Sequence, residues 1–216
     1  MTLSNRIENS IEAMRLLEHP FYQAWVAGEL SRADLQHYAR AYFAHVLAFP
    51  RYVSGVHSKC EDFEARRQLL ANLIDEEAGE EHHPELWLRF AEGLGESRET
   101  VVRHEDAATS ELVAKFLSRT GSSYAEGLGA LFAYESQIPE VASTKIESLQ
   151  GTYAVTDERT LAFFSVHAEA DVYHTQALTE QLDGLSEEEG AKALEAASEC
   201  ARGLWDFLSV LESRRH

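Results

Sequence analysis

The chain is expected to fold as an all-α bundle of about seven to nine helices. Three observations predict this. Prolines are few, four in 216 residues. Apolar residues recur at steps of three and four instead of alternating. Helix start and stop residues divide the chain into regular segments. "SNRIENSIEAMRLL" reads as an amphipathic first helix with Ser4 as its cap. A short second helix follows Pro20 and ends near Gly28. "SRADLQHYARAYFAHVLAFPRYVSGVHSKC" begins at a Ser31 cap and is long and aromatic, with a kink expected at Pro50. "EDFEARRQLLANLIDEEAGE" is a further helix, and "HPELWLRFAEGLG" places Pro84 at a first helical position and Gly95 at the end. Helices near 100–118, 122–150, 156–183 and 186–213 follow, separated by clusters of Gly, Ser, Thr or Asp. No linker, repeat or low-complexity run marks a boundary, so residues 1–216 are expected to form a single domain.

Composition narrows the function. Hydrophobic residues make up 44% and charged residues 26%, a soluble globular balance. Nineteen Lys and Arg against 37 Asp and Glu leave a net charge of −18. Nucleic acid and anionic membrane are therefore unexpected partners, since both need a cationic face. No apolar run reaches the roughly 18 residues of a membrane span, and "MTLSNRIENS" lacks the features of a secretory signal, so a cytoplasmic location is expected. Cys60 and Cys200, the only cysteines, have neither a disulfide nor a zinc spacing and read as core filler.

The functional signal lies in stripes that ought to be apolar throughout. In "HAEADVYH", His167, Asp171 and His174 stand at steps of four and three, one helical face. Extended, that face reads Phe164, His167, Asp171, His174, Leu178, with apolar ends and an ionisable middle. A second stripe, Leu128, Leu131, Glu135, Ile138, Ala142, carries one carboxylate, and a third runs Leu69, Leu73, Glu76, Glu80, His83. An unpaired buried carboxylate would cost several kcal/mol, a large share of the ~5–15 kcal/mol that holds a domain together. A single buried His or Glu is more often a hydrogen-bonded core residue, and Asp171 could simply pair with a neighbouring histidine. Three such stripes together favour a divalent metal, because carboxylate and imidazole suit iron and manganese and bundle cores house carboxylate-bridged dimetal sites. In the third stripe Glu80 and His83 form an E-x-x-H pair, which needs a continuous helix. Pro84 disfavours helix at His83, and that favours Glu76 as the ligand.

These stretches, "NLIDEEAGEEHHPELWLRFAEGLG", "YESQIPEVASTKIE" and "HAEADVYH", resemble the Chlamydia protein associating with death domains and its bacterial relatives. That family lies within the haem-oxygenase-like group that also holds the pyrroloquinoline quinone synthase PqqC and the thiaminase TenA, and the resemblance covers nearly the whole chain. It implies a seven-helix haem-oxygenase-like bundle holding two metal ions, iron or mixed manganese and iron. Their ligands would be Glu76, His83, Glu135, His167, Asp171 and His174. It further implies dioxygen as co-substrate, an external reductant, a homodimer, and p-aminobenzoate as product, a folate precursor cut from one of the chain's own tyrosines with a lysine donating nitrogen. Position matching puts the tyrosine at Tyr22 and the lysine at Lys145, with Tyr38 and Tyr134 near the metals. Residue spacing alone leaves Lys145 open. It lies 145−135 = 10 residues past Glu135, about 280° around a continuous helix, off Glu135's face unless Pro139 kinks the chain. Otherwise it is an exposed lysine, and Tyr22 an ordinary packing aromatic.

The rivals differ in what they require. A metal-free PqqC-like oxidase wants cationic residues around a polycarboxylate, and Lys and Arg are scarce near the stripes. A TenA-like hydrolase needs a cysteine nucleophile in the pocket. A dimetal oxidase of an outside molecule needs an open apolar channel to the metals. A helical interaction module needs no metal at all, and the identity of any protein partner is not legible.

Overall fold

Most helices begin at a side chain that accepts the first free amides. The computed structural model describes residues 1–215, apart from the side chains at positions 169 and 170. Helix α1 (Leu3–Ile11) is capped by Thr2, which accepts from the Asn5 amide. The expected cap, Ser4, is instead inside the helix, where its amide and hydroxyl bond the Asp183 carboxylate at 2.8 and 3.1 Å. The expected helix to Leu17 stops at Ile11 and gives way to two 3-10 turns, Glu12–Met14 and Leu16–Glu18. A tertiary contact intervenes there, the Leu16 amide donating to Gln137 Oε1 at 2.8 Å.

Helix α2 (Pro20–Ala27) has Pro20 in its first turn and ends at Gly28, φ 73°. A Cβ at Gly28 would stand 2.3 Å from Thr152 Cγ2, so both the backbone and the space require glycine. Helix α3 (Arg32–Lys59) starts at a Ser31–Asp34 capping box and runs through Pro50 without ending. Asp62 caps α4 (Phe63–Glu77) and His82 caps α5 (His83–Gly93).

Two expected helices are divided. The segment at 100–118 splits into α6 (Arg98–Val102) and α7 (Ala107–Ser122), because Asp106 accepts from the Ala108 and Thr109 amides and starts a new helix. The segment at 122–150 splits into α8 (Tyr124–Glu135) and α9 (Ile138–Gly151), with Pro139 in the first turn of α9. A proline nitrogen cannot donate to the preceding turn, so the break falls just ahead of it. Helices α10 (Glu158–Asp183) and α11 (Glu187–Ser213) complete the chain. Among the described residues there is no strand, and no helix is long and apolar enough to cross a membrane.

Helix α8 forms the axis of the bundle, buried at every residue from Gly127 to Glu135 and packed against α3, α7, α10 and α11. A Cβ at Gly129 would lie 2.0 Å from the Ala193 carbonyl oxygen, so this glycine lets α8 meet α11 backbone to backbone. Around this axis, α10 packs on α4, α5, α8 and α9. Helix ends that carry Glu76, His83 and Glu135 thereby meet the middle of α10.

Candidate metal centre

Glu76 lies in the last turn of α4, His83 at the first residue of α5 and Glu135 at the last of α8. His167, Asp171 and His174 line one face of α10. All six side chains are buried, none more than 8% exposed. They form two triads, Glu76–His83–His167 and Glu135–Asp171–His174, with one ligand atom of each residue within 4.8 Å of the others in its triad. Glu80 is exposed beyond the end of α4, where Gly79 takes φ 79° and turns the chain. Of the two carboxylates left open by spacing, Glu76 is the one in the cluster.

Among the described residues, the ion-pair partners of these three carboxylates are histidines. Glu76 Oε2 lies 2.8 Å from His83 Nδ1, while His174 Nδ1 lies 3.3 Å from Asp171 Oδ1 and 3.6 Å from Glu135 Oε2. Satisfaction is incomplete. Asp171 Oδ2 is buried without a hydrogen-bond partner, and His83 Nδ1 is near Glu76 but not aligned for a hydrogen bond. Buried orphans of this kind are rare, and a carboxylate oxygen and an imidazole nitrogen are both metal donors. The donor set therefore fits iron. His167 Nδ1 stands 2.6 Å from the Phe163 carbonyl oxygen. A carbonyl only accepts, so Nδ1 carries the proton and Nε2 presents its lone pair.

Two residues on α4 were overlooked in the sequence. Buried Asn72 donates through Nδ2 to both oxygens of Glu135, at 3.2 and 3.1 Å. Asp75 Oδ2 stands 3.1 Å from His174 Nε2. Asn72 was in principle readable, since it lies four residues before Glu76 on the same helical face. Asp75 was not, because its own neighbours in sequence say nothing of α10.

Crowding shifts the titrations. Burial, reinforced by the Asp171 charge, pushes the Glu135 carboxyl up to about 8. Burial alone would lower His174, but its hydrogen bond to Asp171 and the Glu135 charge carry it up to about 9. His83 is likewise raised, the Glu76 charge overcoming burial, while burial lowers His167. The metal-free fold thus holds more protons than the unfolded chain above the ordinary values of 4.5 for Glu135 and 6.5 for His174. The stability His174 contributes is complete below 6.5 and lost as pH rises through 9, and Glu135 adds a growing penalty from 4.5 towards 8. Relative to the metal-loaded form, metal-free protein should therefore lose several kcal/mol between pH 6 and 9, about 1.4 kcal/mol per pH unit for each of the two protons. Protein loaded with a divalent metal should lose much less, because its ligands have already given up their protons. Parallel melting curves for the two forms would count against the assignment.

A second cluster adjoins the triads. The break before α9 resets the helical phase, and Lys145, ten residues past Glu135, turns inward and is buried. Its Nζ lies 2.9 Å from the Tyr22 hydroxyl and 2.5 Å from that of Tyr38, and the two hydroxyls are 3.0 Å apart. The exposed-lysine alternative is thereby removed. Burial holds the amine well below its usual range, which favours the neutral form with its lone pair. Tyr42 donates to Tyr134 at 3.1 Å, and its ring stacks on Tyr38 at 5.4 Å. A cavity of about 20 Å³ joins the clusters, with Tyr22, Tyr38, Tyr134 and Lys145 in its wall and His167 facing them. Neither Cys60 nor Cys200 lines it. The further group His37, His104 and Asp106 is otherwise engaged, since Asp106 caps α7 and pairs with Arg214 at 2.5 Å.

The helical bundle with a buried carboxylate–histidine centre defines a haem-oxygenase-like redox protein. The family described as iron-containing redox enzymes matches residues 36–207, and the chain belongs to it. The sequence is 42% identical over 215 residues to the 4-aminobenzoate synthase of Chlamydia muridarum, covering 98% of this chain and 91% of that one. It is 38% identical over 220 residues to the 4-aminobenzoate synthase of Nitrosomonas europaea, covering 96% and 89%. Among solved structures, a TenA homologue from P. horikoshii OT3 superposes with a TM-score of 0.80 at 15% identity, covering 98% of both chains. At that identity the likeness speaks for the fold.

Proposed function

We propose that this chain forms p-aminobenzoate from one of its own tyrosines, with dioxygen as oxidant and Lys145 as the source of nitrogen. The observation that carries the reading is one shared cavity lined both by Tyr22, Tyr38 and Lys145 and by the candidate ligand His167. The chemistry matches this placement. p-Aminobenzoate is a ring with one carbon para to its nitrogen, and tyrosine is a ring with Cβ para to its oxygen. Conversion requires breaking Cα–Cβ, oxidising Cβ to a carboxylate, and exchanging the phenol oxygen for nitrogen. Lys145 Nζ stands at the phenol oxygens, where that nitrogen must enter.

Glu76, His83 and His167 would hold one metal ion and Glu135, Asp171 and His174 the second, as two irons or as manganese and iron. Bound metal would supply the activation of dioxygen, with electrons from an external reductant. The chain itself does the rest. Asn72 holds the Glu135 carboxylate by both oxygens. Phe163 and its carbonyl orient His167. Burial favours the neutral form of Lys145, and the aromatic wall limits access of bulk water.

Cavity size favours this reading over oxidation of an outside molecule. Organic ligands occupy pockets of about 300–1,000 Å³, whereas a cavity of about 20 Å³ holds little more than a water or a dioxygen. That supports a substrate that is itself part of the wall. The homologues named 4-aminobenzoate synthase support the same product.

Intact-mass spectrometry of reduced, iron-loaded protein before and after exposure to air tests the proposal. The expected result is a mass deficit of one tyrosine side chain together with loss of the Lys145 side-chain nitrogen, in step with the p-aminobenzoate released. Product without a change in protein mass would shift the assignment to an outside substrate.

A further inference from the structure

His174 touches both the buried centre and the surface, through different nitrogens. Its Nδ1 faces Asp171 and Glu135, while its Nε2 lies 3.1 Å from Asp75 Oδ2. Both nitrogens face carboxylates in the metal-free fold, but only Nδ1 faces the triad, so a cation held there would displace the Nδ1 proton and leave the one on Nε2, facing Asp75. A neutral imidazole has one proton, and with it on Nε2 the lone pair is on Nδ1, aimed at the triad. His167, two turns earlier on the same helix, is arranged the other way, its Nδ1 proton spent on the Phe163 carbonyl oxygen.

We infer that His174 binds its cation through Nδ1 and His167 through Nε2, and that Asp75 is the positioning residue that sets the choice at His174. The inference rests on the dimetal reading above and extends it. Asp75 and Glu76 are neighbours on α4, about 100° apart around the helix. Glu76 turns inward to one triad, and Asp75 reaches the outer nitrogen of the other. One turn of α4 therefore serves both ions. Asp75 also differs in setting from every residue of the triads, with a side chain 53% exposed. It borders, with His174 and Tyr173, a surface cleft of about 450 Å³ between α4 and α10. The Asp75–His174 pair lines that cleft, so the centre reaches towards solvent there. A histidine held this way by a carboxylate is oriented before the metal arrives, and it becomes a more basic donor.

Zinc, being diamagnetic, serves as the probe in a long-range proton–nitrogen NMR experiment on protein labelled with ¹⁵N-histidine. With two zinc ions bound, His174 should show a protonated Nε2 and a metal-shifted Nδ1, and His167 the reverse. A proton on Nδ1 of His174 would overturn the inference. Iron(II) titration of the full chain gives a second, independent reading. Asp75→Ala should weaken one of two binding steps about ten- to a hundredfold and leave the other unchanged. Asp75→Asn, which keeps an accepting oxygen, should recover part of the loss. Two bound ions with wild-type affinities in Asp75→Ala would overturn the role of Asp75 alone. A wild-type chain that takes up only one ion would instead overturn the dimetal reading, and the inference with it.

Discussion

Replacing Tyr22 with phenylalanine is expected to abolish p-aminobenzoate formation while the protein keeps its iron. The substitution removes one hydroxyl, which lies 2.9 Å from Lys145 Nζ and 3.0 Å from the Tyr38 hydroxyl. The ring volume stays, so packing against Phe21, Trp25 and Tyr38 is retained. Lys145 and Tyr38 remain hydrogen-bonded to each other, while the Lys145 N–H that Tyr22 accepted loses its partner. Stability should fall by about 1–3 kcal/mol, the cost of the buried hydrogen bonds lost. Product should vanish because phenylalanine lacks the readily oxidised phenol and the oxygen that nitrogen must replace. Ring-labelled tyrosine incorporated into wild-type protein should appear in the product. Labelled product at full yield from Tyr22→Phe would transfer the donor role to Tyr38, whose hydroxyl is within 2.5 Å of the same amine.

Lys145→Met should show the opposite relation between stability and activity. The unfolded chain holds this lysine charged, whereas the folded chain buries it and drives its titration well below the usual range. Folding therefore includes the cost of burying an amine that water would keep charged. Methionine fills nearly the same volume without that cost, and the Tyr22–Tyr38 hydrogen bond survives it. Tm should hold or rise, by roughly 1–2 kcal/mol of stability, while product falls to background. An activity loss coupled to a stability gain marks a residue kept for chemistry rather than packing. Lysine labelled with ¹⁵N at the side chain should pass its nitrogen to the product of the wild-type protein. Product with unlabelled nitrogen would sink the donor role of Lys145 even if the variant were inactive.

Local chemistry made most of the helices readable. Ser31, Asp62 and Ser186 cap helices where their side chains meet free amides, and Pro20 and Pro84 stand in first turns. The stripes of α8 and α10 were legible for a similar reason. An ionisable residue among apolar ones at helical spacing demands a buried partner, whatever that partner is. Sequence thereby determined the all-helical class, the carboxylates and imidazoles that face the core, and, through resemblance, the family and its expected phenol and amine.

What it left open are quantities set between elements. The choice between Glu76 and Glu80 depended on where α4 stops. The burial of Lys145 depended on the break at Ser136–Gln137, where Gln137 bonds both the Ala133 carbonyl and the Leu16 amide. Asn72 and Asp75 have meaning only once α4 lies against α8 and α10. The size of the cavity, small enough to disfavour an outside substrate, is the gap left when several helices pack together. Caps and periodicity act over three or four residues, so one chain segment records them. A contact between residues 75 and 174 arises only from folding, and only the tertiary structure decides which nitrogen of a histidine points inward.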